Sequence, residues 1–279
     1  MKRLSALIAL LAVFSLLTAS AAQAAPKPRA KGSIVMTGPA QAAEFNVRDR
    51  DPNQPDKGWM TYTNFEEEGP GSGVWVPDGT FDVDFEFQGM GPFTHTLTIT
   101  GFEPSSPSSV SFEGTGLYPA EPGWTETFTG TIVGDQIELT LVPDDGGTLF
   151  GWTFTNLVGT IAPDGSVSGT WNDSLLRTGT FEVADIGYEA LSFTADIACA
   201  EGISPDEQLV FGMLIPDVPS SGVAGGFEFL VRVTDEGTSD TYEHQGQPAP
   251  DASIDLAACT SSGAYQAYPI VAGDLDVKH

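Results

Sequence analysis

Cysteine, histidine and basic side chains are the scarce residues of this 279-residue chain. The two cysteines, Cys199 and Cys259, form no CxxC pair and have no histidine nearby in sequence, so no zinc-type or thiol-redox spacing is present. The three histidines (His95, His244, His279) are scattered without an HExxH pattern, and each reads as a surface residue before a ligand. No GxSxG elbow, P-loop or GxGxxG occurs; Gly69, Gly71 and Gly73 sit in a Pro/Gly stretch without a following helix. No cofactor is implied. Eleven Lys and Arg stand against 38 Asp and Glu, a net charge of −27. Such a surface repels nucleic acid and anionic lipid. It reads first as solubility or adaptation to salt, with cation binding as the sharper alternative.

Long apolar runs are equally rare. The one candidate, Leu4–Leu17, follows Lys2 and Arg3 and precedes Ala22-Gln23-Ala24. It falls short of the roughly 20 residues needed to span a bilayer and has the layout of a secretory signal peptide. Residues 1–25 are therefore expected to be a leader cleaved after Ala24 or Ala25, leaving a secreted or cell-surface-associated protein. An exported chain with two cysteines favours one Cys199–Cys259 disulfide. No later segment is expected to enter a membrane. Strand alternation alone also suits an outer-membrane barrel, but short loops and acids on the wet faces argue against one.

What the chain has in quantity is glycine (32), proline (20) and threonine-rich alternation, a composition of strands and turns. No amphipathic helical window appears after the leader. In Phe81–Phe87 apolar residues alternate with acids, the pattern of a strand with one wet face. From Trp124 to Val183 the alternation continues through turns at Gly134-Asp135 and Pro163-Asp164-Gly165, with Gly-Thr at 130–131, 159–160, 169–170 and 179–180. About eight strands joined by short turns predict an up-and-down barrel over residues 76–184. The recurrent glycines suit barrel corners or bulges. After Asp185 some six further strands, with the disulfide, fit an antiparallel sandwich.

Two resemblances refine this all-β reading. Phe229–Gly237 contains V-x-D-x-G as Val233-Thr234-Asp235-Glu236-Gly237; Cys259 follows, and the chain ends Gly273-Asp274-Leu275-Asp276-Val277-Lys278-His279. Residues 187–279 thereby resemble the "post-COAP"-like β modules that follow cupredoxin-like domains in exported bacterial proteins. Asp274 stands where those have Asn, and Lys278 precedes the final His. Such modules begin with F-x-V and K-G-x-x-x-Y, here Phe45-Asn46-Val47 and Lys57-Gly58-Trp59-Met60-Thr61-Tyr62. The resemblance implies a discontinuous module, 31–70 plus 185–279, with the barrel inserted, and carries no chemistry. In the insert, Gly169-Thr170-Trp171 and the Asp164-Gly165…Gly169-Thr170 pattern are similar to avidin-type eight-stranded ligand-binding barrels.

Candidate sites follow from these elements. Trp152, Trp171, Phe128 and Phe154 are expected to point into the barrel, where they either fill it or line a pocket for one small molecule or carbohydrate. Trp59, Trp75 and Trp124 at strand ends offer a sugar-stacking platform. Asp49, Asp51 and Asn53 begin like a calcium loop, but Gln54 and Met60 stand where Gly and Glu are required, so an acidic turn is the better reading. Asp135, Asp144, Asp145 and Asp164 read as turn acids. The expected function is an exported, non-enzymatic binding or surface-associated module. The alternatives are a carbohydrate-active hydrolase with paired carboxylates and a purely structural envelope protein.

Overall fold

The structure is a computed structural model that describes residues 27–36, 40–50, 55–68, 74–121, 123–149, 151–203, 208–215, 226–237, 240–249, 259 and 265–278. The expected leader, Asp51, Asn53 and His279 lie outside the described residues. No α-helix occurs among the described residues.

The chain opens with three antiparallel strands, β1 (Arg29–Met36), β2 (Gln41–Arg48) and β3 (Lys57–Glu68), followed by the short β4 (Trp75–Pro77). Eight strands then run in a meander. They are β5 (Thr80–Phe87), β6 (Met90–Ser106), β7 (Ser109–Leu117), β8 (Thr125–Val133), β9 (Gln136–Pro143), β10 (Thr155–Ile161), β11 (Val167–Asp173) and β12 (Thr178–Val183). β12 pairs back onto β5, Phe181 opposite Phe85, and the sheet closes as an antiparallel barrel. The chain ends with β13 (Gly187–Ile203), β14 (Gln208–Ile215), β15 (Phe227–Thr234), β16 (Thr241–Pro248) and β17 (Gln266–Lys278).

These last five strands and β1–β3 form a second closed ring, β1-β2-β3-β13-β14-β15-β16-β17, with β17 returning to β1. The sandwich expected for this part is therefore replaced by a barrel. The physical reason lies in β13, which spans 17 residues. Its stretch Ala190–Asp196 pairs with β3 and its stretch Ile197–Ile203 pairs with β14, with a register shift between Ile197 and Cys199. One bent strand thus bridges what would otherwise be two sheet edges.

Each barrel has its own packed interior. In the β5–β12 barrel the inward positions include Val83, Phe85, Leu97, Phe112, Phe128, Leu139, Leu157, Trp171 and Phe181. In the other they include Ile34, Phe45, Met60, Tyr62, Phe211, Met213, Phe229, Val231 and Tyr242. The strands β14 and β15 are buried on both faces. Cys199 and Cys259 are bonded across 60 residues, with Cα atoms 6.2 Å apart. With Leu230 and Tyr265 they form a small apolar cluster on the outer face.

The Gly-Thr recurrence has a cause different from corners. In β8, β10, β11 and β12 the glycine faces inward and the threonine outward. A Cβ on Gly130 would lie 2.4 Å from the Phe112 ring, and one on Gly169 would lie 2.5 Å from the Phe181 ring. The missing side chains are the space those rings occupy, aromatic cover over glycine within a curved sheet.

A neck joins the barrels. β4 pairs with Gly187–Glu189 at the start of β13. Val74, Trp75, Val76, Ile186 and Ala190 pack in one cluster with the barrel interior and with Val35, Ala42 and Phe65 of the other barrel. Thr63 Oγ1 donates to the Pro107 carbonyl at 2.7 Å, and Tyr188 Oη donates to the Phe65 carbonyl at 2.5 Å. The neck end of the β5–β12 barrel is thereby plugged.

Candidate functional site at the open end of the inserted barrel

The end opposite the neck carries a cup of about 260 Å³, lined by Phe85, Phe87, Phe93, His95, Tyr118, Leu141, Trp152, Thr155, Trp171, Asp173 and Arg177. Strand alternation sets its wall. Phe85 and Phe87 come from β5, Phe93 and His95 from β6, and Trp171 and Asp173 from β11. The aromatic rings hold one another at defined angles. Trp171 meets Phe85 edge-on with centroids 6.0 Å apart, and its indole N–H donates to the Glu86 carbonyl at 3.1 Å. His95 stacks on Tyr118 at 5.0 Å and meets Phe85 and Trp124 edge-on at 4.9 and 5.3 Å. Trp124 in turn contacts Trp152 at 5.6 Å.

Two acid–base pairs sit in this apolar frame. Glu126 of β8 is fully buried, and its Oε1 lies 2.8 Å from His95 Nδ1. Its Oε2 is buried without a hydrogen-bond partner. Asp173 is 3% exposed. Its Oδ1 accepts from the backbone N–H of Leu175 (2.9 Å) and of Arg177 (3.0 Å), and its Oδ2 lies 2.6 Å from Arg177 Nε and Nη2. The carboxylate thus folds the β11–β12 turn and points the guanidinium along the rim.

The sequence candidates divide. Trp152 and Trp171 line the cup. Phe128 lies deeper, 2% exposed and packed against Phe112. Phe154, expected to face inward with Val158, is on the outside, 37% exposed, as is Val158. The inward set of β10 is Thr155, Leu157, Gly159 and Ile161. A threonine and a glycine in that set hid the register from an apolar count. The proposed sugar platform does not assemble. Trp124 is buried beside the cup, Trp75 is buried in the neck, and Trp59 is half-exposed on β3 of the other barrel.

Of the acidic-loop candidates Asp49 alone is described, and backbone N–H groups hold it and the nearby Asp56. Asp56 accepts from the Arg50 and Ala200 N–H groups at 2.8 and 2.7 Å, and Asp49 Oδ2 accepts from Gly202 N–H at 3.3 Å. Among the described residues no group of three or more His, Cys, Asp or Glu is arranged to hold a metal ion. The turn acids cap their own turns. Asp145 accepts from the N–H groups of Gly147 and Leu149, and Asp164 from Ser166 N–H and Oγ. The Ser166 bonds hold the Asp164 carboxyl below its ordinary pKa.

Glu126, Asp173 and Arg177 escaped the sequence reading, and His95, expected at the surface, is mostly buried in the cup wall. A signal was there. Glu126 is in phase with Phe128, Gly130 and Ile132, and Asp173 with Val167, Gly169 and Trp171. An acid on the apolar phase of a strand is a buried acid, and a buried acid has a partner.

The second barrel carries a cavity of about 290 Å³ lined by Asn46, Arg48, Arg50, Lys57, Gly58 and Trp59, without the cup's aromatic wall, and it holds a buried polar cluster. His244 stacks on Tyr268 at 4.4 Å and contacts Phe229, Tyr62 and Tyr242. Burial lowers its pKa to about 4, and burial raises those of Tyr62 and Tyr242.

Comparison of the chain with protein-family models, with curated proteins and with solved structures finds no match.

Proposed function

We propose that this is an exported binding protein that takes a small, flat ligand into the open end of the β5–β12 barrel. The observation that carries the reading is the cup itself, with one end of the barrel plugged by the neck and the other left open and walled by aromatic rings. Typical ligand sites are roughly 300–1,000 Å³ and mostly apolar with a few fixed polar groups. A cup of about 260 Å³ suits a molecule of one or two rings, a single sugar unit included, and is too small for an oligosaccharide. The avidin-type resemblance of Gly169-Thr170-Trp171 agrees with this reading, and the leader-like N-terminus and the disulfide agree with export.

At the cup the hydrolase reading is weaker, and the barrel's carboxylates meet instead at a cavity of about 570 Å³ on its outer wall, lined by Glu103, Glu113 and Glu138. That reading needs two carboxyl groups facing one cleft about 5–10 Å apart. Among the described residues Asp173 is the only carboxylate on the cup wall, and both its oxygens are taken by the turn and by Arg177. A purely structural role gives no reason for an open aromatic cup.

2-Naphthol, an uncharged two-ring aromatic probe, tests the site. Saturable binding with quenching of tryptophan emission is expected, weakened roughly tenfold by Trp152→Ala through loss of one aromatic wall. No saturable binding, or binding indifferent to Trp152→Ala and Phe93→Ala, removes the cup as a site and leaves the structural reading.

A further inference from the structure

From Thr80 to Val183 the barrel contains fourteen Asp and Glu, one Arg and one His, and no Lys. The one Arg (Arg177) and the one His (His95) both line the same cup. Arranged without regard to function, two such residues would sit on the wet outer faces, where acids are plentiful. Instead each is fixed by a buried acid at the open end, among rings. Burying a carboxylate is poor stabilisation compared with apolar packing, and Glu126 and Asp173 are buried while their partners reach the cup, which points to a ligand.

We infer that the ligand is uncharged and carries hydrogen-bond-acceptor atoms, carbonyl or ring oxygen or nitrogen, along one edge, received by the Arg177 guanidinium. This rests on the cup being the binding site. The donor assignment follows from the pairs. Arg177 has five N–H bonds and spends its Nε and Nη2 on Asp173, leaving others for the cup. His95 gives Nδ1 to Glu126. The cup therefore offers guanidinium N–H donors and needs acceptors. An anionic ligand meets a guanidinium already neutralised by Asp173, on a chain of net charge −27, and is repelled.

Three two-ring probes separate the possibilities on the unaltered protein: coumarin (uncharged, with a lactone acceptor edge), naphthalene (uncharged, no acceptor) and 2-naphthoate (anionic). Calorimetry or tryptophan quenching is expected to give coumarin about tenfold tighter binding than naphthalene, because naphthalene leaves the buried donors unpaired. 2-Naphthoate is expected to be weakest and to gain with added salt. Arg177→Met should bring coumarin toward naphthalene. Equal binding of coumarin and naphthalene overturns the acceptor-edge inference and leaves the cup as a site. Tightest binding by 2-naphthoate overturns the uncharged class. Binding of none of the three overturns both this inference and the binding function.

Discussion

The β5–β12 barrel is closed by hairpins between strands next to each other in sequence, with only the β5–β12 ladder spanning the unit. The other barrel is closed across the insertion, with Thr61 opposite Thr194 and Arg29 opposite Lys278. Both rings have eight strands and alternate inward and outward residues. They differ in how much entropy must be spent before the ring closes, and in what holds the closure. The contiguous barrel relies on aromatic rings over glycines. The split barrel adds a disulfide that pins Cys259 onto its outer face. The lesson is that the contiguous barrel is free to leave one end open, since its wall closes on itself, whereas the split barrel is filled by aliphatic, methionine, phenylalanine and tyrosine side chains.

The sharpest way to break this comparison is excision. A fragment of residues 74–190, which keeps the neck residues that plug the barrel, is expected to fold with native-like dispersion in its amide spectrum. A fragment of residues 187–279 alone is expected to remain unfolded, because β13 and β17 lose β3 and β1 as partners. A folded C-terminal fragment would show that β13–β17 do not need β1 and β3, and an unfolded barrel fragment would show that the two rings are one cooperative unit.

The disulfide comes next. A link closing 60 residues restricts the unfolded chain by about 4 kcal/mol on a loop-entropy account. Cys199→Ser with Cys259→Ser should lower the stability of the split barrel by about that amount and leave the β5–β12 barrel unchanged. Hydrogen exchange resolved by peptide checks it; equal losses in β5–β12 peptides would refute the separation.

A third contrast is acid. Burial holds His244 at a pKa of about 4 in the folded protein, against an ordinary value near 6.5. The unfolded chain takes up the proton first. The stability this group contributes is complete above pH 6.5, declines as pH falls from 6.5 to 4, and does not decline further below. The size is on the order of 3 kcal/mol. Denaturant midpoints for the split barrel should drop over that window, and His244→Phe, within its aromatic surround of Tyr62, Phe229, Tyr242 and Tyr268, should flatten the drop.

These expectations also mark what the sequence made legible. The turns at Gly134-Asp135 and Pro163-Asp164-Gly165 and the wet-face acids of β5 were readable because turn chemistry and period-two alternation are local. The all-β class and the pairing of the two cysteines were readable for similar reasons. Closure of the second ring was not, since alternation is the same in a sandwich and a barrel, and the deciding feature is the bend of β13 at Ile197–Cys199. The face of β10 was misassigned because Thr155 and Gly159 occupy inward positions that an apolar count skips. The cup's polar half was missed because Glu126 and Asp173 look like surface acids until their phase is compared with Phe128 and Trp171.

The glycines allow a finer contrast, worth about 1–3 kcal/mol of overpacking. A Cβ on Gly169 would meet the Val158 carbonyl oxygen at 2.2 Å, a backbone atom in the neighbouring strand. One on Gly32, in the split barrel, would meet only the end of the Phe45 ring, at 2.4 Å. Gly169→Ala should therefore cost the upper part of that range and Gly32→Ala the lower part, measured as shifts in denaturant midpoint. The reverse order would mean that the Phe45 ring is more tightly held than the β10–β11 ladder.

The smallest effect falls at the junction. Thr63 is fully buried on β3 of the split barrel, yet its hydroxyl donates across to Pro107, in the β6–β7 turn of the other barrel, and lies 2.7 Å from Ser192 Oγ. Thr63→Val keeps the shape and removes the hydroxyl, leaving the Pro107 carbonyl without its donor at a cost of about 1 kcal/mol. Because that bond exists only while both barrels are folded and joined, the loss should appear as a wider gap between their two unfolding transitions rather than as a shift of either ring's own core. Thr63→Ser restores the hydroxyl and should close the gap again. If Val and Ser behave alike, the apolar neck around Trp75 and Ile186 carries the coupling by itself.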